Sequence, residues 1–162
     1  MKIKLVFLFV ILYPTHGFSQ NCEINKVKLQ NSFSIFPSKK VNLKKAKTGE
    51  SYSETISFKF PNNTTEILTS DLIECPSYTP GGVTVKDIKI LSIEGLPSGI
   101  SIKCDKPECF WKEATYGCVN VEGKSNQKGR FPLIVHVKGI ANVLYIPIAV
   151  KCVLEGYILT IE

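Results

Sequence analysis

From Gly95 to Val137 the chain runs through a turn, a strand, a cysteine-bearing loop, a strand, a second turn and a third strand. No stretch between them is long enough for a helix. The turn is Gly95-Leu96-Pro97-Ser98-Gly99-Ile100; Cys104, Cys109 and Cys118 follow, then Val121-Glu122-Gly123-Lys124 and Gly129-Arg130-Phe131-Pro132-Leu133. Period-two alternation extends this grammar along the chain. Tyr52, Ile56, Phe58 and Phe60 form one apolar row against Ser53, Thr55, Ser57 and Lys59. Phe131, Leu133, Val135 and Val137 form a second, against Ile134, His136 and Lys138. Leu144, Ile146, Ile148 and Val150 read as a third, and Tyr157, Leu159 and Ile161 close the sequence. Successive strand residues point to opposite faces, so such rows mark half-buried antiparallel strands.

The punctuation agrees. Asn62-Asn63, Pro80-Gly81-Gly82, Gly95 to Gly99, Lys128-Gly129 and Gly139 separate the apolar runs with turn-forming residues. Between Val83 and Ile90 the apolar phase slips by one residue at Asp87, as a β-bulge would make it. Pro147, inside an apolar row, places that strand at an edge or a bulge. Ser32 to Pro37 reads as an edge strand, with the lysine-rich remainder of 21–47 as loop. No segment shows sustained helical periodicity and no low-complexity linker divides the chain. An all-β antiparallel sandwich of about 7–8 strands around one core is expected.

The N-terminus reads as an export signal. Lys2 and Lys4 precede an almost wholly apolar run from Ile3 to Tyr13, and Gly17-Phe18-Ser19 offers small residues before a cut at Gln20. That run is too short for a bilayer span, which needs about 20 residues. Removal of residues 1–19 takes two lysines and no acid, leaving 143 residues and lowering the formal charge from +6 to +4. The expected organisation is a signal peptide at 1–19, an N-terminal extension or edge strand at 20–47, and a single β-sandwich domain at 48–162. The positive charge is almost all lysine, with Arg130 the only arginine. Nucleic-acid readers favour arginine for bidentate contacts, so a nucleic-acid partner is not expected. The lysines crowded between Lys26 and Lys47 suit exposed strands that must resist edge-to-edge pairing.

Six cysteines in an exported chain of this length imply three disulfides. Tight Cys-x-x-Cys pairs, which zinc would need, are absent from the sequence. Six cysteines allow 15 connectivities. The pairing expected is Cys104–Cys118 as cross-strand neighbours at a hairpin mouth, Cys75–Cys152 between a central loop and a late strand, and Cys22–Cys109.

Catalytic material is sparse. Once residues 1–19 are removed, His136 is the only histidine, on the polar side of a strand. The sequence has no Gly-x-Ser-x-Gly elbow, no His-Glu-x-x-His and no phosphate loop. Asp105 with Glu108 or Glu113 are the carboxylate pairs that folding could bring together, but acids in a loop are ordinarily solvated. No Asp-x-Asp-x-Asp array offers calcium the convergent oxygens it needs. No catalytic residue, metal ligand or cofactor is therefore expected, and the chain reads as a non-enzyme. The candidate ligand-contact loop runs from Cys104 to Cys118 and carries Phe110, Trp111 and Tyr116. Aromatics on a restrained loop stack on sugars or anchor a protein at low entropic cost. The reading favoured over this is that Phe110 and Trp111 plug the end of the core, since the only Trp of a small domain is usually mostly buried.

The motifs quoted from Gly95 to Val135 resemble the immunoglobulin-like (cadherin-like) repeat of bacterial surface proteins. In that family a Gly-Leu-Pro-x-Gly-Leu turn precedes one strand, and Ile-x-Gly-Thr-Pro precedes Gly-x-Tyr-x-Leu-x-Val. Here Lys124-Ser125 replaces the usual Thr-Pro. The inserted Cys104, Cys109 and Gly117-Cys118 resemble a variant in small exported proteins of Bacteroidetes-type bacteria. Ser34-Ile35-Phe36-Pro37, Gly49-Glu50-Ser51-Tyr52 and Gly156-Tyr157 fit the same variant, so the likeness covers nearly all of 20–162. It implies an immunoglobulin-like sandwich acting as a secreted binding or adhesion module, with a polysaccharide or an envelope or surface protein as partner. The sequence stops at Glu162 without the sorting domain that often follows such repeats, which leaves periplasm, cell surface and medium open. The alternatives are a structural accessory subunit of an envelope assembly that uses a strand edge, and a secreted hydrolase built around His136 or a carboxylate pair.

Overall fold

The computed structural model describes residues 22–30, 32–112 and 115–162. The signal peptide expected at 1–19 and the acid Glu113 lie outside these residues. Eight strands form: β1 Ser34–Phe36, β2 Ser51–Lys59, β3 Val85–Glu94, β4 Ile100–Cys104, β5 Phe110–Lys112, β6 Tyr116–Lys124, β7 Gly129–Val143 and β8 Ile146–Ile161. They make two four-stranded sheets in the orders β1-β2-β6-β4 and β5-β3-β7-β8. Every neighbouring pair is antiparallel. With β5 set aside, this is the strand order of an immunoglobulin-type sandwich: A-B-E-D in one sheet, C-F-G in the other. The excursion from Cys104 to Cys118 supplies β5, which extends the second sheet beside β3. The fold is a disulfide-stabilised, all-β, immunoglobulin-like sandwich.

The alternating rows fill the space between the sheets. Tyr52 and Ile56 of β2 pack with Val121 of β6 against Leu133, Tyr157, Leu159 and Ile161 of the second sheet, while Phe58 joins Phe60, Trp111 and Val119 in a second cluster. Glu54 occupies an inward position of the same β2 row and is buried. Its Oε2 accepts bonds from the Tyr52 hydroxyl at 2.7 Å and the Lys44 N–H at 2.6 Å, as a buried carboxylate requires. The segment ahead of β2 belongs to this core, since Leu43 and Ala46 are buried within it. The phase slip near Asp87 is a register shift between Val85 and Asp87, and a second shift lies between Ile90 and Ser92. Asn63 caps a single helical turn, α1 Thr64–Leu68, through its side-chain oxygen and the Glu66 N–H. Five residues are too few to show helical periodicity in sequence.

Two glycines are dictated by close approach. Gly99 has φ +86°, and a Cβ there would stand 2.0 Å from the Lys124 carbonyl oxygen. At Gly117 a Cβ would fall 2.4 Å from Phe58 Cε2 and 2.6 Å from Trp111 Nε1. The aromatic cluster therefore occupies the volume that any side chain at position 117 would need.

The disulfides are Cys22–Cys118, Cys75–Cys152 and Cys104–Cys109. Only the second follows the expected pairing. The physical reason is register: Cys104 pairs with Val119, not Cys118. A one-residue offset sends a strand side chain to the opposite face. Cys104 therefore faces the cluster of Phe60, Trp111 and Val119, and bonds to Cys109 through a tight turn with positive φ at Glu108 and Cys109. Cys118 points out of the first sheet, where the chain from Cys22 to Asn25 covers it and the Asn25 N–H donates to Ser57 Oγ at 3.0 Å.

The last hairpin also departs from expectation. Gly139 is not a turn: it pairs with Ile88 and Val150 in mid-sheet, and β7 continues to Val143. The reversal falls at Leu144 and Tyr145, so Leu144 is a turn residue rather than a member of an inward row. Pro147 lies on β8, an edge strand of its sheet.

Candidate functional site

The cysteine loop does not gather its aromatics into a contact surface. Strand alternation on β5 sends Phe110 and Trp111 to opposite faces. Trp111 is 1% exposed, with ring centroids 5.1 Å from Phe58 and 5.6 Å from Phe60. Its Nε1–H donates to Asp105 Oδ1 at 2.8 Å, which satisfies the one polar atom of the indole. Trp111 is thus a core residue and cannot reach a ligand. Phe110 is 39% exposed on the outer face beside Lys89, while Tyr116 is half-buried beneath Lys26 Nζ, 5.2 Å from its ring centroid.

The titratable candidates are likewise dispersed. Val135 and Val137 line the interior of the sandwich, so His136 faces outward, with Nε2 2.9 Å from Glu94 Oε1. Glu108 pairs with Lys89 at 2.8 Å, and that hydrogen bond and charge hold its carboxyl below the usual range. Among the described residues, Cys22, Asp105 and Cys118 bring ligand-type atoms within 4.8 Å of one another. All three are already engaged: the sulfurs are bonded to each other, and Asp105 Oδ1 accepts from Trp111 Nε1–H and the Cys118 N–H. Between the sheets lies a cavity of about 100 Å³ lined by apolar and aromatic side chains, including Ile56, Phe58, Ile90 and Leu133. No side chain there is placed to do acid–base work.

A different surface stands out at the tip of the β7–β8 hairpin. Val143 and Ile146 close a two-residue turn whose central residues, Leu144 (φ 47°) and Tyr145 (φ 68°), both adopt the left-handed conformation. Such turns match the twist of the flanking strands and are ordinarily built from Asn-Gly or Asp-Gly. For other residues the left-handed region costs about 1–2 kcal/mol each. The side chains held there are apolar and bare: Leu144 is 87%, Tyr145 99% and Ile146 65% exposed.

Two uncharged stretches meet at the tip. The Asn142 N–H donates to the Thr84 carbonyl at 3.3 Å, and the Thr64 N–H to the Val83 carbonyl at 2.8 Å. The segment preceding β3 and the N-terminus of α1 therefore share this end of the sandwich with the hairpin. Neither the ten residues from Pro76 to Val85 nor the twelve from Gly139 to Val150 include Asp, Glu, Lys or Arg. Tyr78, within the first stretch, is exposed. In a chain with 20 basic and 14 acidic residues, this is a marked segregation of charge.

The open edge of β8 is short. Val153 exchanges both backbone bonds with Glu74, at 2.7 and 2.8 Å, so Val153 turns its N–H and C=O away from β7. Register continuity gives Lys151, Ala149 and Pro147 the same orientation. Pro147 has no N–H to offer, and Lys151 is a residue that discourages edge pairing. Only Ala149 and Lys151 present both a donor and an acceptor there.

The sequence hid this site because Leu144-Tyr145 carries no turn signature and sits between two apolar runs. The signal that was available is the length of the uncharged stretch around Pro147. No protein-family model, no curated protein and no solved structure matches the chain.

Proposed function

We propose that this protein is a non-catalytic binding module, working outside the cytoplasm, that engages a partner surface through the tip of its β7–β8 hairpin. The observation that carries this reading is the pair Leu144–Tyr145: two consecutive residues in a costly backbone conformation, with side chains that contribute almost nothing to the core. Backbone strain kept at an exposed position points to function rather than folding, and large apolar side chains exposed together mark interaction sites. Binding residues are commonly held on loops that a rigid scaffold positions. Three disulfides, with no free cysteine among the described residues, fit an oxidising compartment. His136 pairs with Glu94 on the outer face, while Asp105 is held by Trp111 and Cys118 and Glu108 by Lys89, an arrangement that supports a non-catalytic role. The short, proline-blocked edge of β8 weighs against strand-edge assembly as the mode of contact.

The test offers the oxidised protein to immobilised polysaccharides, envelope proteins and phospholipid vesicles, beside a Leu144→Asn/Tyr145→Gly variant and a Trp111→Phe variant. The expected result is binding to one class, lost in the double variant and retained by Trp111→Phe. Equal binding by the double variant, or binding that follows Trp111, rejects the hairpin as the site.

A further inference from the structure

We infer that the surface engaged by the hairpin is a lipid bilayer, with Leu144, Tyr145 and Ile146 entering its headgroup–acyl boundary. The inference rests on the reading of the hairpin as a binding element. Four features of the end favour lipid over the other partners.

The first is charge. On the hairpin the charged residues nearest the turn are Lys138 and Lys151, which are register partners of each other. Each lies six residues from the turn, or about 20 Å at strand rise. On the neighbouring strand, Lys86 lies between the partners of Ala141 and Ile140, three to four residues or about 10–13 Å from the turn. Interfacial elements sink about 5–10 Å into the boundary, so Leu144, Tyr145 and Ile146 enter while Lys86 stays at the water side. The row formed by Lys89, Lys138 and Lys151 stays on the water side.

The second is side-chain chemistry. Tyrosine rings gather at membrane interfaces because one end is apolar and the other wet, and Tyr145 is almost wholly exposed beside Leu144 and Ile146. A glycan would stack on Tyr145 through its C–H faces but gives aliphatic Leu144 and Ile146 no specific partner. A protein interface surrounds its apolar centre with a polar rim, whereas the stretches flanking this tip hold no charged residue.

The third is backbone satisfaction. Within lipid an unpaired N–H is costly. On the β3 side the Asn142 N–H is bonded to Thr84. On the open side the outward-facing position nearest the turn is Pro147, which has no N–H. The fourth is shape: a protruding two-residue turn is convex and suits a deformable surface.

The test is sedimentation of the oxidised protein with vesicles of neutral phosphatidylcholine at about 0.5 M salt, where screening reduces lysine attraction to a range of about 4 Å. Binding that persists in salt is expected, with partitioning lowered by about tenfold or more in Leu144→Asn/Tyr145→Gly, as loss of buried apolar surface requires. A Tyr145→Trp variant adds an exposed indole to the buried Trp111; its emission should shift to the blue on vesicles and be quenched by lipids brominated near the headgroup. Binding confined to anionic vesicles and abolished by salt would assign the contact to the lysines and overturn the inference. Absence of vesicle binding, with hairpin-dependent capture of a polysaccharide or protein, overturns the lipid assignment and leaves the binding reading intact. Absence of all three defeats both.

Discussion

Two buried phenols make the fold sensitive to alkali. Tyr52 donates to the carboxylate of Glu54, and Tyr157 donates to the Pro37 carbonyl at 2.7 Å. Burial raises both hydroxyl pKa values above the ordinary tyrosine value of 10.0, and for Tyr52 the hydrogen bond and charge of Glu54 raise it further. A group whose folded pKa lies above its unfolded value stabilises the fold fully below the unfolded pKa. That contribution is lost as pH climbs past about 10, where the unfolded phenols ionise and the folded ones resist. The urea midpoint should therefore hold steady towards pH 10 and fall above it, with tyrosinate absorbance from these two residues developing together with unfolding. The Tyr52→Phe/Tyr157→Phe variant starts lower, by about 1–3 kcal/mol for the Pro37 carbonyl left unpaired and by less at Glu54, which keeps the Lys44 N–H, and loses stability less steeply in alkali. An unchanged alkaline slope in that variant would place the sensitivity elsewhere.

At the scale of the element, the β7–β8 turn is where local preference and fold disagree most. Replacing Leu144-Tyr145 by Asn-Gly installs the sequence that this turn geometry prefers. Relief of two left-handed residues at about 1–2 kcal/mol each, less about 0.5–1 kcal/mol for glycine's greater freedom in the unfolded chain, leaves a net stabilisation of about 1–3 kcal/mol. Urea denaturation of the oxidised double variant should show that gain together with the loss of binding; a less stable variant would mean that the tip side chains serve the fold. The same turn shows where sequence reading stops. Alternation located the strands because burial of one face enforces period two, and the slip at Asp87 and the edge character of Pro147 were visible for the same reason. A turn made from Leu and Tyr gives no local signal, since its geometry is imposed by the long pairing of Gly129–Val143 with Ile146–Ile161 on either side. Gly139 looked like the missing break but sits in mid-strand. The faces taken by Cys118 and Trp111 depend on a one-residue register and on which strand β5 joins, and neither is written in local composition. Cys75–Cys152 follows the expected loop-to-late-strand bridge, and the Glu74–Val153 backbone pairing holds that loop against β8.

Across the whole molecule, the bridges sort by the length of chain they close. Cys22–Cys118 spans a separation of 96 residues, Cys75–Cys152 one of 77, and Cys104–Cys109 only 5. Loop entropy alone assigns about 4.5 kcal/mol to each long bridge and about 2 kcal/mol to the short one. The sheets are built from pairings distant in sequence, such as β2 with β6, which carry a high entropic cost of closure. The two long bridges offset part of that cost by restricting the unfolded chain. They also hold peripheral segments: Cys22–Cys118 fastens the N-terminal strip over Ser57, and Cys75–Cys152 fastens the uncharged stretch from Pro76 to Val85 beside the hairpin. Paired Cys→Ala replacements, which leave no free thiol, should therefore lower unfolding free energy most at the two long bridges and least at Cys104–Cys109. Removal of Cys75–Cys152 should in addition weaken binding at the hairpin end, because it frees the segment whose Thr84 carbonyl receives the Asn142 N–H. Urea midpoints and vesicle sedimentation on the three paired variants separate the effects. A Cys104→Ala/Cys109→Ala loss as large as the other two would show that the short bridge acts by fixing Trp111 and its cluster, not by shortening the unfolded chain.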